Sequence, residues 1–528
     1  MAKPRKSAKR PENKPSAEAG APPKPPGTEP ALLALLGVSV VLLAVRWYAA
    51  RHVGFGDSEA LYASYALHPA PAYLDHPGLV GQLARSIAGD GPPTPYGTHT
   101  VTALLATALP WLVVGISRRL GASDRASAVA GLLFAVVPEI AVGLFALTPD
   151  LPLALAWLAV VGFAAAGFES KPSSGRAAWM FLSAGLLAGV AVSAKATGLL
   201  LLVALAVAYA TAPGEARAHR KTVWPWLGLL AASVIMTPII SFEAKNGWPM
   251  IAHRFVHTQA AAGFSLRNLG ATVGGQFAYL SPVVFVVAAL VARDLFKRRR
   301  DDAISSLLFT TFALPVAALL TFCLWSRVAE PHWLAPPLLG LVLHGARRAS
   351  TGAPWPRKLI IAAIGSAAVF TAIVHAYVLV PQSARLRPES IDARADIASE
   401  LYGWPDVLRV ADEAAQELRV GDANKAKNVW FVGPHWVICA QLQAGLPEAH
   451  VGCTQDRTDF DTWGPRAQWE QADAIVFVTD ARFDGPEFDA SALFPAFARA
   501  GSRRVTVMRA GRTARAFRVL VLDRRPGA

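Results

Sequence analysis

Charge is scarce in this sequence. Asp, Glu, Lys and Arg make up 17% of its 528 residues, against roughly 25% in soluble domains. A chain this long with so few charges cannot cover the surfaces of several water-soluble domains, which argues against a cytosolic enzyme or a disordered regulator. Cysteine is nearly absent, at three residues, too few for a disulfide-built scaffold. No CxxC, HExxH, P-loop or Rossmann pattern occurs, so none of those metal, redox or nucleotide chemistries is signalled. Hydrophobic residues dominate instead, at 53%, with a mean hydropathy of +0.35. They fall into blocks separated by Arg/Lys clusters, the pattern of a polytopic membrane protein. The excess of 51 basic over 37 acidic residues then reads as cytoplasmic loops obeying the positive-inside rule, with no nucleic-acid partner.

Residues 1–30 form a basic tail rich in Pro and poor in large apolar residues, expected to be disordered and cytoplasmic. The first span is expected at 31–50, uncleaved, with Arg46 snorkelling to the interface. Further apolar blocks lie at 98–116, 126–146, 150–168, 177–193, 196–212, 223–242, 273–292, 303–324, 333–346 and 358–380, giving about eleven transmembrane helices. The stretch 177–212 is too long for one crossing and is read as two helices turning near Lys195. Basic linkers recur at alternate loops, so loop 51–97, the Lys195 turn and the C-terminus fall on the extracytoplasmic side. From Arg385 the composition changes: a helical pattern at Asp406–Leu418 and β-type runs at 428–432, 474–479, 504–508 and 517–522 predict a small extracytoplasmic α/β domain over 385–528. Cys439, on an expected helix, and Cys453 lie in that domain and are expected to pair in an oxidising compartment.

The long first outer loop, 51–97, is rich in acids, Tyr and Pro, and long loops of this kind usually carry function. It holds Asp57, Glu59, Asp75 and His76. Asp57 and Glu59 precede a helix-like run, so each reads either as a helix-terminal acid or as a functional carboxylate. Asp150 begins a span and Lys195 lies at a turn; their structural alternatives are capping and snorkelling. Arg254, flanked by His253 and His257, and Glu330 with His332 occupy two further outer segments.

The order of these segments resembles a known family. Ser58-Glu59-Ala60-Leu61-Tyr62, followed by Ala72-Tyr73-Leu74-Asp75-His76-Pro77, is similar to the Asp-Glu-Ala-Tyr-Tyr … Gly-Tyr-Phe-Asp-His-Pro-Pro loop of bacterial family 39 glycosyltransferases. These stand with the protein O-mannosyltransferases and lipid A aminoarabinose transferases in the GT-C superfamily. Thr148-Pro149-Asp150, Ser193-Ala194-Lys195, Glu330-Pro331-His332-Trp333-Leu334-Ala335-Pro336 and Leu401-Tyr402-Gly403-Trp404 match further family patterns in the same order. The likeness covers about residues 50–525. In two places the sequence departs from the pattern: Ser58 stands where the family has Asp, with Asp57 one position earlier, and Gly78 replaces the second Pro.

The resemblance implies a GT-C-like catalytic module over 31–384, in a bacterial inner membrane. It would move a sugar from a polyprenyl-phosphate donor to a lipid, protein or glycan acceptor on the extracytoplasmic face. A carboxylate base from Asp57, Glu59 or Asp150 would deprotonate the acceptor, with inversion at the anomeric carbon. Asp75, His76, Lys195, Arg254, Glu330 and His332 would bind donor phosphate and substrate. No cofactor is required; a divalent metal is compatible with such an acid-rich site, but no ligand spacing demands one. The competing class is a transporter or flippase for a lipid-linked substrate. Polar residues gathered on one face, little polarity at mid-membrane and no internal repeat weigh against it.

Overall fold

The computed structural model describes residues 29–260, 262–326, 329–351, 355–388, 392, 394, 396–420 and 426–527; the expected disordered tail lies outside them but for its last two positions. The first crossing is α1 (Glu29–His52). Two short helices, α2 (Asp57–Leu67) and α3 (Leu79–Ala88), follow in the segment read as a loop, and α4 (Pro95–Arg119) returns. The helix α4 starts where Thr94 accepts a bond from the Gly97 amide and Pro95 occupies the first turn, where no amide partner is needed.

The helix α5 (Asp124–Val136) ends because Pro138 disfavours helical geometry at the preceding residue, and α6 (Pro138–Ala141) leaves at 71°. Then come α7 (Asp150–Phe168), α8 (Gly175–Ala194), α9 (Gly198–Thr211), α10 (Trp224–Lys245) and the single turn α11 (Pro249–Ala252). The block 273–292 is not one straight span. It is divided between α12 (Leu266–Leu280) and α13 (Pro282–Arg298), bent by 111° at Ser281, whose φ is 77°. Pro282 removes an amide and breaks the helix there. The membrane region closes with α14 (Ala303–Trp325), α15 (Ala335–Ser350) and α16 (Arg357–Leu379).

All eleven apolar blocks are therefore helical. Among the described residues, seven helices are long and apolar enough to cross a membrane, and counting each of three bent pairs as one span raises this to ten. The eleventh block, α15, has 16 residues, short of the roughly 20 that a 30 Å core requires. The helices α8 and α10 pack backbone to backbone: a Cβ on Gly185 would stand 1.7 Å from the Gly228 carbonyl oxygen. Such small-residue contacts are how helices associate in lipid, where burial alone supplies little drive.

Arg46 does not snorkel. It is 2% exposed and donates to the carbonyls of Ile140 and Ala141 at 2.9 and 3.1 Å and to Thr107 at 2.7 Å. The break after α5 frees those carbonyls, and a guanidinium within α1 satisfies them.

The C-terminal part is α17 (Trp404–Val420), α18 (Trp436–Gly445) and a five-stranded sheet: β1 (Val429–Gly433), β2 (Val451–Cys453), β3 (Ala474–Asp480), β4 (Phe497–Arg509) and β5 (Arg512–Arg524). Strand order is β2-β1-β3-β5-β4, with β1 parallel to β2 and β3, and β5 antiparallel to β3 and β4. The strand β2 is the one that sequence patterning omits; at three residues it has no periodicity to read. The first-loop helices pack on this domain through Ser64 to the Ala440 carbonyl and Gln441 to the Phe55 carbonyl.

Cys439 on α18 and Cys453 on β2 are joined as a disulfide, with Cα atoms 5.8 Å apart. Peptide mapping of native-membrane protein without reductant should return the linked Cys439–Cys453 pair; two free thiols would show that this domain matures in a reducing compartment.

Candidate active site

The residues singled out in the sequence form two neighbouring clusters, joined by backbone and hydrogen bonds. The first is a polar pocket at the end of the helix bundle that faces the C-terminal domain. Asp150 opens α7 and Lys195 caps the C-terminus of α8, at the expected turn. The lysine donates to both carboxylate oxygens at 2.8 and 2.9 Å, with both side chains buried. His332 lies 3.7 Å from Asp150 and 3.9 Å from Glu330.

Across the pocket, Arg254 approaches the Asp75 carboxylate at 3.1 Å and donates twice to the Asp75 carbonyl, at 3.1 and 3.0 Å. His253 stands 3.6 Å from the same carboxylate. Burial alone would raise the Asp75 pKa, but the neighbouring His253 and the Arg254 charge hold it below the usual carboxylate range. His76 is buried, its ring 5.5 Å from that of Tyr62. Burial and the charges of Arg254 and Lys195 push its pKa down to about 3. Burial and Lys195 bring His332 to about 4, so both imidazoles are neutral near pH 7. Burial raises Glu330 above the ordinary carboxylate value. Among the described residues, the Nδ1 atoms of His76 and His253 and the Thr148 hydroxyl are buried without a hydrogen-bond partner. The pocket therefore holds spare polar capacity.

Asp57 and Glu59 belong to the second cluster, which forms the pocket's wall. Glu59 accepts from the Gly56 amide at 2.9 Å, from the Leu147 amide at 2.6 Å and from His99 at 2.8 Å. It thus fixes the segment that leads into Thr148-Pro149-Asp150. Asp57 pairs with Arg482 at 2.6 Å, and Arg482 in turn holds Asp480, which also binds Arg515. Both acids are buried and committed to these partners.

The Gly78 departure has a steric cause. Its amide donates to the Pro71 carbonyl at 2.8 Å, which proline cannot do, and a Cβ there would meet the Ala70 carbonyl at 2.3 Å.

Three participants escaped the sequence reading. Asp459, from the C-terminal domain, accepts from the Leu74 amide at 3.0 Å and from the Tyr65 hydroxyl at 3.2 Å, and so positions Asp75 and His76. Arg482 anchors Asp57. Glu139, buried on α6, has one unpartnered oxygen. None sits in a motif; a single acid or base far along the chain carries no local signal. Among the described residues, no group of three or more His, Cys, Asp or Glu is arranged to hold a metal.

Breaking a buried ion pair leaves an uncompensated charge, at a cost of about 3–5 kcal/mol. Lys195→Met alone should therefore lower thermal stability in detergent more than the double variant Asp150→Asn/Lys195→Met does. Additive losses would show that the pair is not coupled. Asp459 gives a pH signature. Burial, with the Asp75 charge nearby, raises its pKa to about 6 from an ordinary 3.8. Its favourable contribution is complete below pH 3.8 and lost as pH rises through 6. Thermal stability should fall across that window, and Asp459→Asn should flatten the fall; an unchanged slope would refute this assignment.

The comparisons with known proteins agree with this architecture. A family model for dolichyl-phosphate-mannose-protein mannosyltransferase matches residues 94–242, the segment carrying α4 to α10 with Asp150 and Lys195. A search of curated proteins finds no match to the sequence. Among solved structures, ArnT from Cupriavidus metallidurans superposes in its apo state with a TM-score of 0.59 at 16% identity, covering 93% of this chain and 98% of that one. The same protein bound to undecaprenyl phosphate gives 0.61 at 16% identity, covering 94% and 98%. By its matched segment and by a fold shared over nearly its full length, this chain is similar to the mannosyltransferase-like glycosyltransferases of the GT-C fold.

Proposed function

We propose that this chain is an integral-membrane glycosyltransferase that transfers a sugar from a polyprenyl-phosphate donor to an acceptor on the extracytoplasmic face, with inversion. One observation carries the reading: Asp75, His76, Asp150, Lys195, Arg254, Glu330 and His332 come from five distant segments to one pocket at the end of the apolar bundle. A lipid carrier brings its reacting phosphate to that depth, and a soluble donor does not need such a body. The family match, and the undecaprenyl phosphate in the ArnT structure, support a lipid-linked donor.

The chemistry is a single displacement. The acceptor hydroxyl attacks the anomeric carbon as the bond to the phosphate oxygen breaks. The hydroxyl proton passes to a carboxylate, and the lipid phosphate leaves with the bonding pair. Lys195 and Arg254 oppose the charge that grows on that phosphate. His76 and His332, neutral in the free protein, supply hydrogen bonds that strengthen as the negative charge draws protons onto them. Asp150 is saturated by Lys195 and orients it. Asp75 and Glu330 are the less enclosed carboxylates, with side chains 31% and 48% exposed, and one of them takes the proton. Asp57 and Glu59 support the pocket through its wall.

Sugar release from a polyprenyl-phosphate donor in detergent, with and without an acceptor extract, tests the proposal. A general base is worth roughly 10²–10⁴ in rate, so either Asp75→Asn or Glu330→Gln should cost at least about a hundredfold in turnover with the protein still folded. Lys195→Ala and Arg254→Ala should weaken donor binding and turnover together. Asp57→Asn and Glu59→Gln should lower the yield of folded protein. Wild-type transfer by the Asp75→Asn/Glu330→Gln double variant would sink the carboxylate-base mechanism.

A further inference from the structure

An apolar cavity reaches the polar cluster at Glu139. It is a groove of about 780 Å³ between α5, α13, α15 and α16, walled by Leu, Val, Ile and Ala side chains. It runs most of the length of α5. Arg125, at the start of that helix, lines one end and Glu139, just past its break, lines the other. At 1.5 Å per residue this separates the two ends by roughly 20 Å, most of a 30 Å hydrocarbon core.

The two ends differ in charge. At the end remote from Asp150 and Lys195, Arg125 and Arg357 stand beside Trp355. Three neighbouring arginines are engaged: Arg118 with Asp124, Arg347 with Asp302, and Arg348 with Asp294. Among the described residues, Arg125 and Arg357 have no acidic partner. Both are exposed, and a tryptophan beside two arginines is what a membrane headgroup layer meets. The opposite end, at the buried Glu139, is lined by no cation.

We propose that this groove holds an anionic phospholipid, with its phosphate on Arg125 and Arg357 and an acyl chain directed toward Glu139. The occupant belongs to the leaflet opposite the polar pocket. The glycosyl donor proposed above is a different molecule, because its phosphate must lie at Asp150 and Lys195. Such a lipid would fill the gap beside the broken helix α5 and brace α5 against α16, which touch through Thr371 and the Val136 carbonyl.

The full-length protein in detergent would be titrated with phosphatidylglycerol, and separately with phosphatidylcholine of the same chains, and retention read by native mass spectrometry. One phosphatidylglycerol should be retained at least tenfold more strongly than phosphatidylcholine. The Arg125→Ala/Arg357→Ala variant should lose that preference and Arg125→Lys/Arg357→Lys should keep it. Filling the groove with Ala288→Phe should weaken retention with the arginines intact; circular dichroism and monodispersity verify that each variant is folded. Equal retention of the two lipids, an unaltered preference in the alanine variant, or stoichiometric displacement by polyprenyl phosphate would each overturn the assignment. The readout is binding, so its failure is separable from failure of sugar transfer.

Discussion

Asp150 and Lys195 share two short hydrogen bonds where both side chains are buried, and much of the surrounding architecture follows from keeping them together. Either charge alone in that position is strongly unfavourable. The pair therefore demands that the start of α7 and the end of α8 meet at one depth, and that α8 stop there. Helix breaks gather at this level: α5 gives way to α6, α8 to α9, and α12 to α13. Each break frees backbone groups that must find partners, and Arg46 and Thr371 meet that demand at the break after α5.

Sequence made much of this legible, for physical reasons. Helices that must satisfy their backbone in lipid need long apolar runs, so all eleven blocks could be found. The C-terminal domain announced itself by the return of charge and by alternating β-type runs. What the sequence concealed was continuity. The blocks 126–146 and 273–292 read as single spans, because the average hydropathy of a block is insensitive to one proline. Arg46 was misread for a related reason: at the end of a hydrophobic run, a snorkelling arginine and one that binds freed carbonyls look alike.

The site was legible as a list and less so as a geometry. Asp75, His76, Asp150, Lys195, Arg254 and His332 lie together, because loops at one end of a helix bundle have few places to go. Asp57 and Glu59 instead turn into the wall. At the start of a helix the two possible uses of an acid, capping and chemistry, carry the same residue signature, and only the positions of Leu147, His99 and Arg482 separate them. Those partners lie 40 to more than 400 residues away in sequence.

Asp459 and Arg482 have a consequence for how the protein comes into being. Both lie in the last quarter of the chain, yet they hold the loop that follows the first helix: Asp459 fixes the turn before Asp75, and Arg482 secures Asp57. While a ribosome is still extending the chain, the membrane helices can be in place and the first loop remains without these clamps. The setting of that loop thus waits on the last quarter of the chain, and a chain truncated or stalled before the sheet is complete carries the other residues of the polar cluster while lacking these two clamps.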